Sequence, residues 1–251
     1  MNAQDRLIVA LDVDGLEPAE ALVRQLLPAG VSRFKIGLEL FTRVGPAAVE
    51  MVHRHGGRVF LDLKFHDIPN TVGRAAQAAA RLGVWMANVH IQGGTAMMKQ
   101  ALIEAHEEAR KAKQEPLLLI GVTILTSMAE RDLMDLGVRK TLKDQVLYLA
   151  KLAKTTGLNG IVASAQEAKS VRWACGDGFL IVTTGIRPGG EDGGILSAAS
   201  TAAKGKDDQQ RTTTPLEAIQ AGADYLVVGR PIVAAADPQE AARQIVKEMH
   251  A

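Results

Sequence analysis

Short apolar runs rich in β-branched residues recur along the chain. Each is followed by turn residues and then by an Ala/Leu-rich stretch whose apolar positions have helical spacing. The runs predict strands over Leu7 to Leu11, Arg33 to Ile36, Val59 to Leu63, Val84 to Val89, Leu117 to Val122, Gly160 to Val162, Leu180 to Val182 and Tyr225 to Val228. Between them the helical pattern covers Pro18 to Leu27, Pro46 to His55, Asn70 to Leu82, Thr95 to Ala112, Leu142 to Thr155, Ala165 to Ala174, Thr214 to Ala221 and Pro238 to Met249. Several helices open on proline, as at Glu17-Pro18, Gly45-Pro46, Thr214-Pro215 and Asp237-Pro238, because the first turn has no intrahelical use for the missing N–H.

Continuous apolar strands joined by helical crossovers imply a parallel sheet covered by helices. Eight such units in 251 residues is the arithmetic of a single-domain (β/α)8 TIM barrel, with a doubly wound open sheet as the alternative. The domain is expected to span residues 1–251. The turn-rich stretch Gly189 to Lys206, GGEDGGILSAASTAAKGK, lacks an apolar period and reads as a long mobile loop near 188–208, after the seventh strand.

Composition narrows the partners. Lys plus Arg number 29 against 28 Asp plus Glu, with no basic run, so the counterion-releasing footprint of a nucleic-acid binder is missing. The apolar run near the N-terminus, LIVALDV, is too short for a signal h-region or a membrane span. The single Cys175 cannot form an internal disulfide, and a cytoplasmic location is expected. Zinc-ligand spacing, a Gly-x-Gly-x-x-Gly loop, a Walker loop and a Gly-x-Ser-x-Gly elbow are all missing from the sequence, so nothing in it requires a metal, nucleotide or flavin cofactor.

Barrel chemistry belongs at the carboxyl ends of the strands. There the sequence places Asp12, Lys35, Asp62, Lys64, Thr126, Ser127, Arg187 and Gly229-Arg230. The densest stretch is LDLKFHDIPNT, Leu61 to Thr71, in which a period of two sets Asp62 and Lys64 on one face. Asp67 follows at the start of the loop and Lys35 comes from the neighbouring strand, so two acids and two amines are expected in one mouth. Such a cluster suits a proton donor at Lys64 above a fixed anion, Asp62, better than it suits a base. A second constellation, VVGRPI, ends a strand on Gly229 beside Arg230, offering a backbone N–H and a guanidinium to a phosphate. Arg187 in TTGIRPGG falls after strand seven, the matching place. His90 shares a face with Asn88 and reads as a hydrogen-bonded structural histidine, while His66 has the opposite parity to Lys64 and is expected to point away from the mouth.

In that order these residues resemble the orotidine 5′-monophosphate decarboxylase family. The likeness runs through LIVALD, FKIGLELF, FLDLKFHDIPNT, GVWMANVH, GVTILTSM, VASAQEA, TGIRP, DDQQRTTTP and DYLVVGRPI. The resemblance implies ribose contacts from Asp12 and Lys35 and a charge array of Lys35, Asp62, Lys64 and Asp67. It also implies a homodimer in which Asp67 and Thr71 reach the partner's site. Thr126 and Ser127 would lie near the pyrimidine, with Arg230, the N–H of Gly229 and Gln209 on the phosphate and Arg187 preceding the phosphate loop. The implied reaction is a cofactor-free, metal-free loss of carbon dioxide from a nucleotide in pyrimidine biosynthesis.

Thr184 stands where the family pattern has proline, and the segment from Arg187 to Gln209 is longer than usual, which leaves Gln209 and Gln210 as alternatives for the phosphate. The extra length reads as an insertion outside the site. Two other readings remain at this point. One is a magnesium-dependent phosphosugar decarboxylase of the same barrel group, for which Glu39 would be a ligand; the other is an idle barrel that only binds nucleotides or partners.

Overall fold

The computed structural model describes residues 2–189 and 211–250. Eight parallel strands close into a barrel in sequence order: β1 Leu7–Ala10, β2 Arg33–Gly37, β3 Arg58–Phe65, β4 Met86–His90, β5 Leu118–Val122, β6 Gly160–Ala163, β7 Leu180–Thr183 and β8 Tyr225–Val228, which pairs back onto β1. The open-sheet alternative is thereby excluded. Each strand is followed by a crossover helix: α1 Leu16–Leu26, α2 Ala47–Arg54, α3 Pro69–Arg81, α4 Gly94–Ala112, α5 Leu142–Thr156, α6 Ala165–Cys175, α7 Pro215–Gln220 and α8 Pro238–Glu248.

Strand alternation divides the core in two. A small cluster of Ile8, Ala10, Phe60, Met86, Ile120, Val182, Tyr225 and Val227 fills the barrel interior, while a larger one packs the outer strand faces against the helices. Helix starts follow local chemistry. Thr214 and Glu217 form a reciprocal capping box at α7, and Asp237 and Ser164 cap α8 and α6 with their side chains. Pro18 is the third residue of α1 rather than the first, and Pro46 precedes α2. Both positions lie where the N–H has no intrahelical acceptor, so proline marks the first turn without fixing the first residue.

Short helices at Ala3–Arg6, Leu38–Val44, Glu130–Asp135 and Arg230–Val233 were not anticipated. They are too brief to establish an apolar period. The barrel floor is closed by Arg33, which points inward from the start of β2. Its guanidinium sits 5.2 Å from the Trp85 ring and 6.0 Å from Tyr225, and Nη1 donates to Asp5 Oδ1 at 2.7 Å. No described helix is long and apolar enough to cross a membrane.

Candidate active site

The opposite end of the barrel holds a cavity of about 630 Å³. Among its lining residues are Asp12, Lys35, Asp62, Lys64, Thr126, Ser127, Arg187, Gly229 and Arg230, which is every described site residue expected within one chain's mouth except Asp67. They arrive from six strand ends, and the parallel barrel directs all six toward one place. Apolar walls come from Phe60, Ile124, Leu125 and Val227.

At the bottom of the cavity Lys35 and Asp62 are each 8% exposed. Lys35 Nζ donates to Asp12 Oδ1 at 2.8 Å and stands 3.5 Å from Asp62 Oδ2. Lys64 Nζ donates to the other oxygen, Asp62 Oδ1, at 2.7 Å. The four groups form a chain of alternating sign, Asp12, Lys35, Asp62 and Lys64. Burial works against the charge on Lys35, but attraction to Asp62 and Asp12 outweighs it and holds the ammonium above the ordinary lysine range.

Simple alternation does not by itself place Lys64. Its φ is +52°, one of two positive values among the described non-glycine residues. The β3–β4 register also shifts there: Leu61 pairs with Ala87 and Phe65 with Val89, so four residues of one strand match two of the other. The irregularity is held by Asn88, 1% exposed, whose Oδ1 accepts the Lys64 backbone N–H at 2.8 Å and whose Nδ2 donates to Asp62 Oδ1 at 2.7 Å. A bulge at a strand end re-aims a side chain, and here it lets Lys64 curl back over Asp62.

Gly37 ends β2 with a similar purpose. A Cβ on it would lie 2.8 Å from Lys35 Nζ and 3.0 Å from Asp12 Oδ1, so the ion pair occupies the space a side chain would need. Sequence reasoning missed both Asn88 and Gly37 as parts of the site. The only available signals were the place of Gly37 at the end of β2, two residues after Lys35, and the face that Asn88 shares with His90.

Asp67 is not in the cluster. The chain leaves the barrel after Phe65, residues 66–71 are exposed, and Asp67 Oδ1 accepts the Ile68 N–H at 2.6 Å. Thr71, in the first turn of α3, is likewise exposed and outside the cavity lining. His66 does not line the cavity; its ring lies 5.2 Å from that of His90. Burial, together with the nearby charges of His66 and Lys64, keeps His90 below the ordinary histidine range. Gln209, Gln210 and the expected loop beyond Gly189 lie outside the described residues.

Gly229 approaches the cavity with a Cβ position 3.5 Å from Ala10 Cβ and 3.7 Å from Asp12 Oδ2, and Arg230 opens the short helix after it. Arg187 is set by a backbone bridge, its N–H donating to Thr213 O at 2.9 Å while the Thr213 N–H donates to Gly185 O at 3.1 Å. Glu39 lines the mouth and faces Arg43 at 3.7 Å. Among the described residues, no group of three or more His, Cys, Asp and Glu side chains is arranged to hold a metal ion.

Comparison with known proteins gives the same direction. The chain is 50% identical over 251 residues to an orotidine 5′-phosphate decarboxylase of Moorella thermoacetica, covering 99% of this chain and 94% of the relative. It is 51% identical to the protein of that name in Syntrophotalea carbinolica, covering 100% and 97%. Among solved structures, the orotidine 5′-phosphate decarboxylase of Lactobacillus acidophilus superposes with a TM-score of 0.81 at 37% identity, covering 98% of this chain and 99% of that one. A family model described as "Orotidine 5'-phosphate decarboxylase / HUMPS family" matches residues 5–245. With the barrel, the mouth and near-complete coverage in agreement, the chain belongs to the orotidine 5′-phosphate decarboxylase / HUMPS family of enzymes.

Proposed function

We propose that the chain decarboxylates orotidine 5′-phosphate to uridine 5′-phosphate in pyrimidine biosynthesis, with Asp62 and Lys64 at the reacting carbon. The observation that carries this reading is the Asp12–Lys35–Asp62–Lys64 chain at the base of a cavity whose rim bears Arg187 and Arg230. It is supported by relatives of that name at about half identity along the whole length.

In the reaction the bond from C6 to the carboxylate breaks, its electron pair stays on C6, and carbon dioxide leaves. Asp62, already buried and negative, disfavours a second carboxylate beside it. Lys64 Nζ offsets the charge that grows on C6 and then delivers its proton there, so the pair on C6 becomes the new C–H bond. Lys35 and Asp12 lie further along the same chain of charges and suit the ribose hydroxyls. Arg230 and the N–H of Gly229 suit the phosphate, with Gln209 expected beside them, and Thr126 and Ser127 suit the pyrimidine. Binding energy from phosphate and ribose, remote from C6, then serves to hold the carboxylate against Asp62.

Asp67 and Thr71 complete the site only if a second copy supplies them. Their exposure, and that of the apolar neighbour Ile68 at 66%, supports a homodimer with shared sites. The single domain and cytoplasmic location expected from the sequence belong to the same proposal.

The test is the loss of orotidylate absorbance with EDTA-treated protein, run beside Lys64→Ala. Turnover by the native protein alone supports the assignment and the proton donor together. Turnover only of a sugar phosphate, and only with magnesium, would transfer the site to the phosphosugar reaction.

A further inference from the structure

One buried ion pair at the mouth has no part in the chemistry just described. Glu167, in the first turn of α6, is 4% exposed, and its Oε1 accepts from Arg211 Nη1 at 2.6 Å. The Arg211 side chain is 10% exposed. Its second terminal nitrogen, Nη2, donates to the carbonyl of Leu125 at 3.2 Å. Leu125 lines the cavity and directly precedes Thr126 and Ser127. Two residues beyond Arg211, Thr213 makes the paired backbone bonds to Gly185 and Arg187. One guanidinium therefore joins the loop after β5 to the start of α6, two residues before the Thr213 backbone that bridges the extension of β7.

The pair is costly. Among the described residues, Glu167 Oε2 and Arg211 Nε are buried without a hydrogen-bond partner. A buried ion pair with unsatisfied atoms is a poor source of stability, and replacing such pairs by apolar residues is often neutral or favourable. Its directional bond to a cavity-lining backbone is a geometric function that apolar residues could not replace.

We propose that Arg211 is a positioning residue that holds the pyrimidine-side loop, Leu125 to Ser127, in fixed relation to the phosphate-side residue Arg187, with Glu167 fixing the guanidinium. The assignment rests on the proposed orotidylate reading for the names of the two sides, but not for the contact itself. Arg211 acts through Leu125 and Thr213; it is not itself among the cavity-lining residues.

The test combines two readouts. In kinetics, Arg211→Gln is expected to lower kcat/KM for orotidylate about ten-fold or more. Ser127→Ala should cost about five-fold in the native background and less than about two-fold in Arg211→Gln, because the loop has already lost its position; energetic coupling of that size is usual for residues in one network. Arg33→Met, on the barrel floor, serves as a control for loss of stability alone and should leave the cost of Ser127→Ala unchanged. In hydrogen exchange, the amides of Leu125, Thr126 and Ser127 should lose protection in Arg211→Gln relative to those of β5.

Arg211→Lys keeps a charge beside Glu167 but lacks the second planar N–H, so it tests the Leu125 contact with the buried charge still countered. Native kinetics in both Arg211 variants, or strictly additive effects with Ser127→Ala, would overturn the proposal. Absence of orotidylate turnover by the native protein would instead retire the proposed reaction, and the exchange readout would still decide the role of Arg211.

Discussion

Asn88 and Asp62 are joined by a 2.7 Å hydrogen bond from adjacent strands, and the same Asn88 side chain accepts the backbone N–H of Lys64 at 2.8 Å. One amide thus fixes the carboxylate and the left-handed backbone of the lysine that curls over it. Asn88→Ala removes both bonds and leaves polar groups unsatisfied at the base of the cavity, a loss of about 1–3 kcal/mol. The expected result is a fall in kcat/KM of roughly 10- to 100-fold with a lower melting temperature, measured by absorbance kinetics and calorimetry. An Asn88→Ala enzyme with native kinetics would remove Asn88 from the site.

Gly37→Ala is the smallest change available at the mouth. Its φ of −95° is open to any residue, so the effect is purely steric: the new methyl meets Lys35 Nζ at 2.8 Å. Displacing that ammonium also loosens its hold on Asp12 and Asp62. A misplacement near 1 Å can cost about 100-fold in rate. The expected signature is a KM that rises together with a fall in kcat, in a protein of nearly native stability.

Arg33 belongs to the other end of the barrel, where buried contacts serve stability rather than chemistry. Arg33→Met removes the bond to Asp5 and the contacts with Trp85 and Tyr225, at a cost of about 2 kcal/mol. In a chain of this size that corresponds to a melting shift of roughly 4–8 °C. Kinetic constants at 25 °C should stay native, and a large KM change would contradict the division between floor and mouth.

His90 provides the pH test. Its folded pKa lies below the ordinary value, first because of burial and then because of the charges on His66 and Lys64. The native state therefore favours the neutral ring. Its contribution to stability is full above about pH 6.5, the ordinary histidine value, and is lost as pH falls through the lower folded value. A proton NMR titration of the ring should give a midpoint under 6.5, and His90→Gln should flatten the decline of stability on acidification. A midpoint at about 6.5 would remove this contribution, and one above it would reverse its sign.

The barrel and most of the mouth were legible in the amino-acid sequence because both depend on short-range pattern. Strand runs alternating with helical periods count out eight units, and a parallel barrel sends every strand end to one face. Asp12, Lys35, Asp62, Lys64, Thr126, Ser127, Arg187, Gly229 and Arg230 could therefore be gathered from their places after strands. Asn88, Gly37 and the Glu167–Arg211 pair could not. Their roles depend on inter-strand register, on the bulge in β3, and on a contact between residues 44 positions apart, none of which leaves a periodic trace.

Asp67 shows the limit from the other side. Its spacing from Lys64 placed it in the cluster, yet the chain turns outward after Phe65 and leaves it on the surface. Local sequence determined most of the chemical groups that stand at the barrel's mouth, since alternation and strand ends are properties of neighbouring residues. Tertiary structure decided which of them touch, because strand register, the left-handed turn at Lys64 and the space left by Gly37 arise only when distant segments are packed against one another.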